Sequence, residues 1–375
     1  MESQTTDRHR RTRNRVFRLL LDSDIPYTKQ YMASQLRLSL PTVHQSLTEL
    51  NELGLIRVIG HEESTGGRPA AQIGINPDAR TAIGVQVTGH HFRIIEINLC
   101  RQELAAKTIR HELAQGGQRL GRMIAKEVET FIDENKIDPD TLLGVGIAIP
   151  GIIDEATDMI THASTMNLVN TPLGPIRDAI PYRTFFGNDA NLGGFAEWYT
   201  RPTNDSSIAY LSLESGVGGA ILINGATYSG DHGRSGEFGH ICVEPNGREC
   251  ACGKRGCLQA YCSTRRLSDD LDITLEEFFA ALDANEGEAP EIWNDYLTHL
   301  ARGINTIRMA LDCEVVLGGS VVRFFEPHLG EIRGEVAALD SFGSDGSYVS
   351  LSHIFRHAIQ LGAALLCIED FAENL

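Results

Sequence analysis

The sequence predicts an α/β protein in two parts, a small N-terminal domain over residues 1–76 and a larger body over residues 77–375. Two observations predict this fold class. Before residue 54, apolar residues recur at helical spacing in three short segments, and two alternating apolar runs follow them. After residue 80, apolar strands alternate with amphipathic helical segments, and a similar series begins again at residue 208.

The composition is that of a globular chain. Of its 375 residues, 42% are hydrophobic and 22% are charged, and the length allows two or three domains with full cores. There is no run of 18 or more apolar residues and the N-terminus is polar, so neither a membrane span nor a signal peptide is expected. Eight cysteines, three of them clustered, favour a reducing compartment with a metal site, and we expect a cytoplasmic protein.

Charge is distributed unevenly along the chain. Residues 1–76 carry ten Lys and Arg against eight Asp and Glu, whereas residues 77–375 carry 23 against 42. A mildly basic domain on a strongly acidic body suits DNA binding, because phosphate attracts the first and repels the second. The arginine-rich run at residues 8–15 has an alternative interpretation as a frayed, solvated terminus.

Three short helices are expected in the N-terminal domain. The first covers residues 13–21, Thr28 can cap the second, and Ser39 with Pro41 starts the third, which ends at Gly54. Three helices joined by such a turn are typical of a helix-turn-helix, whose last helix lies in the DNA major groove. A small oligomerisation module has the same pattern, so this alternative stays open here.

In a helix-turn-helix, the third helix would carry the contacts to base edges. Four of its polar residues point outward in this arrangement: Thr42, His44, Gln45 and Thr48. Among them, His44 and Gln45 have the side chains best suited to base-edge hydrogen bonds in the major groove.

Two short alternating strands follow at residues 55–60 and 71–75 and complete a winged helix-turn-helix. The connection between them contains Gly67-Arg68-Pro69, which holds one guanidinium on a stiff, extended backbone. This shape suits a narrow, A·T-rich minor groove, so Arg68 is the candidate DNA contact of the wing. The alternative is that Arg68 only covers the hairpin.

The body contains two similar strand series. Strands are expected at 82–87, 92–98, 143–149, 208–213 and 219–223, and helices at 121–134 and 357–371. Two such halves around a cleft describe the two-lobed, actin-like sugar-kinase (ribonuclease H-like) ATPase fold. Lobe one is expected at about 77–190 together with the C-terminal helix at 357–375, which is apolar enough to pack on it, and lobe two at about 191–356.

Within the stretch between Gly236 and Ser263, three clustered thiols and an imidazole lie in a loop too rich in glycine to be a helix or a strand. The four candidate ligands are His240, Cys250, Cys252 and Cys257. Thiolate and imidazole suit a tetrahedral zinc, and a set without a carboxylate or open position is usually structural. The alternative is that the four residues are unrelated. This is a poor explanation, because three of them are cysteines within eight positions.

This block resembles the signature of the ROK family of repressors, open reading frames and sugar kinases. The resemblance covers about residues 80–370, and the Ser64–Ala70 segment is similar to the wing of the family's repressors, which its kinases lack. The resemblance implies that His240 joins the three cysteines on a structural zinc and that Glu237 and His240 touch a sugar. Where the family has a Glu sugar ligand, this chain has Gln259, an uncharged donor and acceptor.

The resemblance also implies further sugar contacts. Gly187-Asn188-Asp189-Ala190-Asn191 is similar to the family's Glu-Asn-Asp-Ala-Asn, in which the Asp is the general base of kinases and a binding carboxylate of repressors. An Asn-Asp pair by itself is usually a turn or a cap. The implied sugar-binding set is Gly151, Asn188, Asp189, Glu237, His240 and Gln259.

The nucleotide motifs depart from those of the family's kinases. Gln86 stands where a kinase has the Asp that serves the metal–phosphate group, and Glu214 would place a carboxylate beside the triphosphate. Leu317-Gly318-Gly319-Ser320 keeps the third phosphate loop, although a Gly-Gly turn after a strand is also an ordinary structural feature. We therefore expect no catalytic residues and no ATP turnover.

The sequence predicts a sugar-responsive DNA-binding regulator, a repressor that binds its operator as a homodimer or homotetramer and takes a sugar or sugar phosphate as effector. The alternatives are an ATP-dependent sugar kinase with a regulatory DNA-binding domain and an activator built from the same parts.

Overall fold

The computed structural model describes residues 2–61, 69–112, 116–201 and 207–375, with the side chains of residues 2–7 left aside. Contacts divide the chain into two compact units. The first comprises Met1–Ile147, Gly174–Phe186 and Ala363–Leu375, and the second comprises Ala148–Leu173 and Gly187–Gly362. No helix in the described ranges has both the length and the apolarity needed to cross a membrane.

The N-terminal domain has three helices and a two-stranded hairpin, as predicted. They are α1 (Glu2–Leu21), α2 (Lys29–Leu36), α3 (Leu40–Glu52), β1 (Ile56–His61) and β2 (Ala71–Ile75). The two strands pair antiparallel, with Ile56 opposite Ile75. The first helix begins well before residue 13, so the arginine-rich run is helical and not frayed; arginine has a high helix propensity.

Both predicted helix caps are present. Thr28 precedes α2 and its hydroxyl accepts from the Tyr31 N–H, while Ser39 precedes α3 and accepts from the Thr42 N–H. Each cap satisfies one of the N–H groups that lack a partner in the first turn of a helix. These local bonds fix where α3 begins and therefore which of its faces is buried.

The first series of the body forms a five-stranded sheet in the order β10-β6-β3-β4-β5, in which β10 is the later strand Thr184–Asn188. Its elements along the chain are β3 (Thr81–Val87), β4 (His91–Asn98), β5 (Glu103–Arg110), α4 (Gly117–Asn135) and β6 (Leu142–Ile149). The prediction omitted β5, whose alternate residues are exposed because it lies at the edge of the sheet.

Three short strands then form a sheet of their own in the order β7-β8-β9. The elements of this segment are β7 (Ile152–Asp154), β8 (Met159–Ala163), β9 (Leu168–Pro172), α5 (Gly174–Arg177), β10 (Thr184–Asn188) and α6 (Asp189–Thr200). Because this small sheet packs with the second unit, residues 148–173 belong to that unit and not to the expected first lobe. Residues 187–190 and 357–362 were also expected in the first lobe, and they too belong to the second unit.

The second series forms another five-stranded sheet, in the order β13-β12-β11-β14-β15. Its strands and helices are β11 (Ile208–Leu213), β12 (Val217–Ile223), β13 (Ala226–Thr227), α7 (Gln259–Cys262), α8 (Leu275–Asp283), α9 (Ala289–Leu311), β14 (Glu314–Gly318), α10 (Leu329–Leu339), β15 (Val349–Leu351) and α11 (Ala358–Asn374). An aromatic core under the sheet includes Trp293, Tyr296 and Phe325, each nearly fully buried.

The end of the last helix packs on the first unit, as predicted from its apolar residues. Residues Ala363–Leu375 belong to that unit. The backbone of Ala363 approaches Gly146 of β6 so closely that any side chain at residue 146 would collide with it. The glycine is therefore required for the contact between helix and strand.

Candidate functional site

The four predicted metal ligands lie together in the second unit. The donor atoms of His240, Cys250, Cys252 and Cys257 are all within 4.8 Å of one another. The sulfur atoms of Cys252 and Cys257 are 3.7 Å apart. Because a metal–sulfur bond is about 2.3 Å, two thiolates of a tetrahedral site lie about 3.8 Å apart. The spacing of the cluster therefore fits a single metal ion.

The loop that carries these ligands, residues 240–257 (the metal loop), folds back on itself through its own backbone. The N–H of Cys250 donates to the Lys254 carbonyl at 2.8 Å, and the N–H of Gly253 donates to the Cys250 carbonyl at 2.9 Å. Gly256 has a φ of 80°, and a side chain there would collide with the Glu244 carbonyl. The three sulfurs converge because glycine permits this tight return.

Asn188 is the cap of α6. Its side-chain oxygen accepts from the Asn191 N–H at 2.9 Å, and its Nδ2 donates to the Gly151 carbonyl at 3.0 Å. A side chain at Gly151 would collide with the His162 carbonyl and with Ala163. The structure therefore brings Asn188 and Gly151 together, with Asn188 acting as a cap, and its contact to a sugar stays a prediction.

Asp189 is half-buried at the start of α6, where its carboxylate accepts from the Ala190 N–H at 2.8 Å. Burial raises the pKa of Asp189 to about 7, and the negative charges of Glu237 and Glu214 act in the same direction. Near neutral pH, this carboxyl group is therefore present in both forms and can accept or donate a hydrogen bond.

Glu237 lies beside the metal loop. One of its carboxylate oxygens is 3.9 Å from Nε2 of His240. Burial raises the pKa of Glu237, while His240 and His162 lower it. His162 lies on β8 and is not among the predicted site residues, because a single histidine in a strand carries no recognisable sequence pattern. Gly233, in the loop before Glu237, packs against Ile153 of β7, so this loop contacts the β7-β8-β9 sheet that carries His162.

Gln259 connects the metal loop to the turn between β11 and β12. It is the first residue of α7 and follows Cys257 closely in the sequence. Its Oε1 accepts from the Val217 N–H at 3.1 Å. The structure thus gives Gln259 a bond to the protein backbone, and its predicted contact to a sugar would use the amide nitrogen.

The two residues that depart from the kinase motifs both have partners in the protein. In the first unit, Gln86 is buried and its Oε1 accepts from Nη1 of Arg93 at 3.2 Å. In the second unit, the carboxylate of Glu214 accepts from the N–H and the hydroxyl of Ser320 at 2.8 and 2.7 Å. Ser320 is the last residue of Leu317-Gly318-Gly319-Ser320, the segment that resembles the third phosphate loop of the family's kinases.

The predicted DNA contacts on α3 differ in exposure. His44, Gln45 and Thr48 are exposed, whereas Thr42 is half-buried and its hydroxyl is 2.7 Å from that of Ser39. The opposite face, with Val43, Leu47 and Leu50, packs into the domain. Arg68 lies outside the described residues.

Lys29 is an additional basic residue at this surface. Its Nζ is 3.2 Å from Nδ1 of His44, so the first turn of α2 adds a positive charge beside α3. The sequence pattern did not reveal this proximity, because the two residues belong to different helices.

Comparison with known proteins finds the same body in regulators and kinases. The sequence model of the ROK family matches residues 82–369. The chain is 25% identical over 359 residues to the xylose repressor of Bacillus subtilis strain 168, covering 93% of each chain. It is 26% identical over 343 residues to the DNA-binding transcriptional dual regulator NagC of Escherichia coli K12, covering 87% of this chain and 80% of that protein.

Among solved structures, the chain is similar to a ROK family transcriptional regulator described as a homolog of the E. coli MLC protein. That match has a TM-score of 0.80 at 21% identity and covers 97% of both chains. A ROK family glucokinase from Streptomyces griseus, in complex with glucose and AMPPNP, matches with a TM-score of 0.66 at 20% identity and covers 77% of this chain and 99% of that one. The regulator therefore shares the fold of nearly the whole chain, and the kinase that of about three quarters.

Proposed function

Because the chain belongs to the ROK family, we propose that it is a sugar-responsive transcriptional regulator, a repressor of carbohydrate-use genes that binds operator DNA and is controlled by a sugar or sugar phosphate. One observation carries this proposal. The match to the transcriptional regulator covers 97% of the chain, whereas the match to the glucokinase covers 77%. A winged helix-turn-helix added to a sugar-kinase body has no use in phosphate transfer, but it has one in operator recognition.

Residues 1–76 are the proposed DNA-binding domain. His44, Gln45 and Thr48 are exposed on α3, and Lys29 adds a positive charge beside them. Thr42 lies at the start of the same helix, where a phosphate contact is favourable. Gln45 is suited to a bidentate contact with adenine. The proposed minor-groove contact is Arg68, by the chemistry of its Gly-Arg-Pro sequence.

The proposed effector site lies in the second unit. Its six residues, all within that unit, are Gly151, Asn188, Asp189, Glu237, His240 and Gln259. Asp189 and Glu237 accept hydrogen bonds from sugar hydroxyls. Such hydrogen bonds are short and strong when the acceptor is charged. Asn188 and Gly151 hold Asp189 in place through the cap of α6. A site built from such acceptors rejects ligands that lack the matching hydroxyl.

Zinc is the proposed metal of the cluster. Three thiolates and one imidazole are the ligands that zinc binds in tetrahedral structural sites, and the donor spacing of at most 4.8 Å fits it. His240, Cys250, Cys252 and Cys257 would hold the ion. Bound zinc cross-links the metal loop, so it keeps His240 beside Glu237 and Gln259 beside the β11–β12 turn.

Phosphate transfer is proposed to be lost. Gln86 cannot supply the charge by which an aspartate serves the metal–phosphate group, and its amide is paired with Arg93. Glu214 adds a negative charge near the second phosphate loop. The kinase alternative predicts sugar-dependent ATP hydrolysis in a coupled assay, and the regulator predicts none.

A sugar can regulate the protein only by binding the DNA-competent and DNA-incompetent conformations with different affinities. We propose that the operator is read by a homodimer or homotetramer, since palindromic operators present two equivalent half-sites. The direction of the sugar effect then decides between inducer and co-repressor.

The test combines ligand screening with operator binding. Sugars and sugar 6-phosphates are screened by thermal shift with and without ATP and magnesium, because a specific ligand at a hundredfold excess over its Kd stabilises the fold by about 2.7 kcal/mol. The sugar that stabilises the fold is then added to the complex of the protein with DNA from the promoter of the protein's own gene. The regulator requires a stabilising sugar that changes operator affinity without ATP. A stabilisation that appears only with ATP, or an operator affinity that no stabilising sugar changes, contradicts it.

A further inference from the structure

His44 on α3 and Lys29 on α2 form a hydrogen bond whose direction is fixed by the chemistry of the two groups. Nζ of Lys29 is 3.2 Å from Nδ1 of His44. An ammonium group has three N–H donors and no lone pair, so Lys29 donates and Nδ1 accepts. A neutral imidazole carries a single proton on nitrogen, which is then on Nε2. The contact therefore fixes the tautomer of His44 and leaves an N–H donor on the other side of the ring.

The backbone beneath both side chains is held by the core of the N-terminal domain. Lys29 is the first residue of α2 and follows the capping residue Thr28, which is buried. On α2, Met32 is fully buried, and so is Val43, the residue that precedes His44 on α3. His44 itself is exposed. Two packed helices therefore present the Nε2–H donor at the surface of α3.

A surface that offers only hydrogen-bond donors suits one base in particular. In the major groove, guanine presents two acceptors, N7 and O6, whereas adenine and cytosine each present an amino donor and thymine presents one acceptor beside its methyl group. His44 supplies one donor, and the Lys29 ammonium keeps two more after its bond to Nδ1. Gln45, the next residue on α3, combines a donor with an acceptor and suits adenine instead.

We infer that Lys29 is a positioning residue for base recognition, which fixes the tautomer of His44 so that its Nε2–H donates to N7 or O6 of an operator guanine. Without the ammonium, the imidazole exchanges its tautomers, and the nitrogen that reaches the groove also accepts from the amino groups of adenine and cytosine. Lys29 thus acts on base specificity through His44, beyond the general attraction of its charge to phosphate. The inference rests on the proposed binding of operator DNA and deepens it by naming a base.

The test measures DNA binding of the full chain by fluorescence anisotropy. The parent chain first selects its operator from random-sequence DNA. Each guanine of that operator is then replaced in turn by 7-deazaguanine, which lacks N7, or by 6-thioguanine, which lacks O6. At one guanine of each half-site, one analogue is expected to weaken binding of the parent about fivefold or more, since a hydrogen bond to a base edge is lost. His44→Ala lacks the donor and is expected to lose this sensitivity.

Lys29→Met removes the ammonium and keeps an unbranched side chain. Its sensitivity to the same analogue is expected to fall to about twofold or less, and its relative affinity for operators with adenine or cytosine at that position is expected to rise. Lys126→Met is the matched control, because Lys126 is an exposed lysine on α4 of the body, and it is expected to keep the full sensitivity. Circular dichroism establishes that the variants are folded.

Two outcomes overturn the inference while operator binding by the parent chain stands. One is full sensitivity to the analogue in Lys29→Met, which shows that Lys29 does not position His44. The other is a loss in His44→Ala that is the same for every analogue, which assigns His44 to a phosphate. A parent chain that selects no DNA sequence refutes the proposed function itself, so the two failures are distinguishable.

Discussion

Phe17 in the first helix of the chain packs edge-to-face on Phe371 in the last, with ring centroids 5.9 Å apart. Beside this pair, Arg18 forms an ion pair with Glu369, and Nδ2 of Asn14 donates to the backbone carbonyl of Glu373 at 2.9 Å. Phe17 is fully buried. Helix α1 is therefore packed on the C-terminal end of the chain, and both belong to the first unit.

Replacement of Phe371 should loosen α1. Phe371→Ala is expected to cost about 2 kcal/mol, because a half-buried ring and its aromatic contact are lost. Hydrogen–deuterium exchange of the 13–21 segment should rise, and operator affinity should fall. Glu373→Ala is the control, since only the backbone of Glu373 contacts Asn14. Unchanged exchange in Phe371→Ala would show that the contact does not stabilise α1.

Loss of a proposed metal ligand should weaken effector binding and leave the proposed DNA-binding domain intact. Cys252→Ser is expected to lose bound zinc and to bind the effector sugar about tenfold more weakly, because the metal loop then no longer fixes Glu237 and Gln259. Zinc content is measured by mass spectrometry and sugar affinity by calorimetry. Cys242→Ser is the matched control, an exposed cysteine of the same loop outside the four-ligand cluster. Equal sugar affinity with and without zinc contradicts the proposed role.

The raised pKa of Asp189 predicts a pH-dependent stability. The native pKa of about 7 exceeds the ordinary value of 3.8, so the native state binds more protons than the unfolded state between these values. The stability that the protonated form of Asp189 contributes is therefore fully present below about pH 4, and it is lost as the pH rises to about 7. Asp189→Asn should gain stability relative to the parent chain over this window and show a constant difference above it. Urea unfolding at a series of pH values measures this, and a difference independent of pH refutes it.

Substitution on the exposed face of α3 should weaken operator binding. Gln45→Ala is expected to cost about 1–3 kcal/mol and to relax specificity at one base pair, since a bidentate base contact is lost. Gln118→Ala is the control, because Gln118 is likewise an exposed glutamine on a helix, α4 of the body. Fluorescence anisotropy with operator and non-specific DNA separates the two effects. An equal loss on both DNAs would assign Gln45 to the phosphate backbone.

The sequence by itself determined the features that depend on short-range physics. The caps at Thr28 and Ser39 and the strands of the wing follow from local hydrogen bonds and from the spacing of apolar residues. The cluster of one histidine and three cysteines was also predictable, because its cysteines lie within eight positions and the loop between them is rich in glycine. The edge strand β5 was missed because its exposed, mixed face lacks a clear apolar period.

Only the tertiary structure decided which distant residues meet. Glu214 and Ser320 are 106 positions apart, and their hydrogen bonds depend on the parallel pairing of β11 with β14. Gln259 reaches Val217 because α7 packs where the β11–β12 turn lies, and Phe17 reaches Phe371 across the length of the chain. Such contacts follow from the tertiary arrangement of strands and helices, which no local pattern encodes, because the same residue types would serve equally well with other partners.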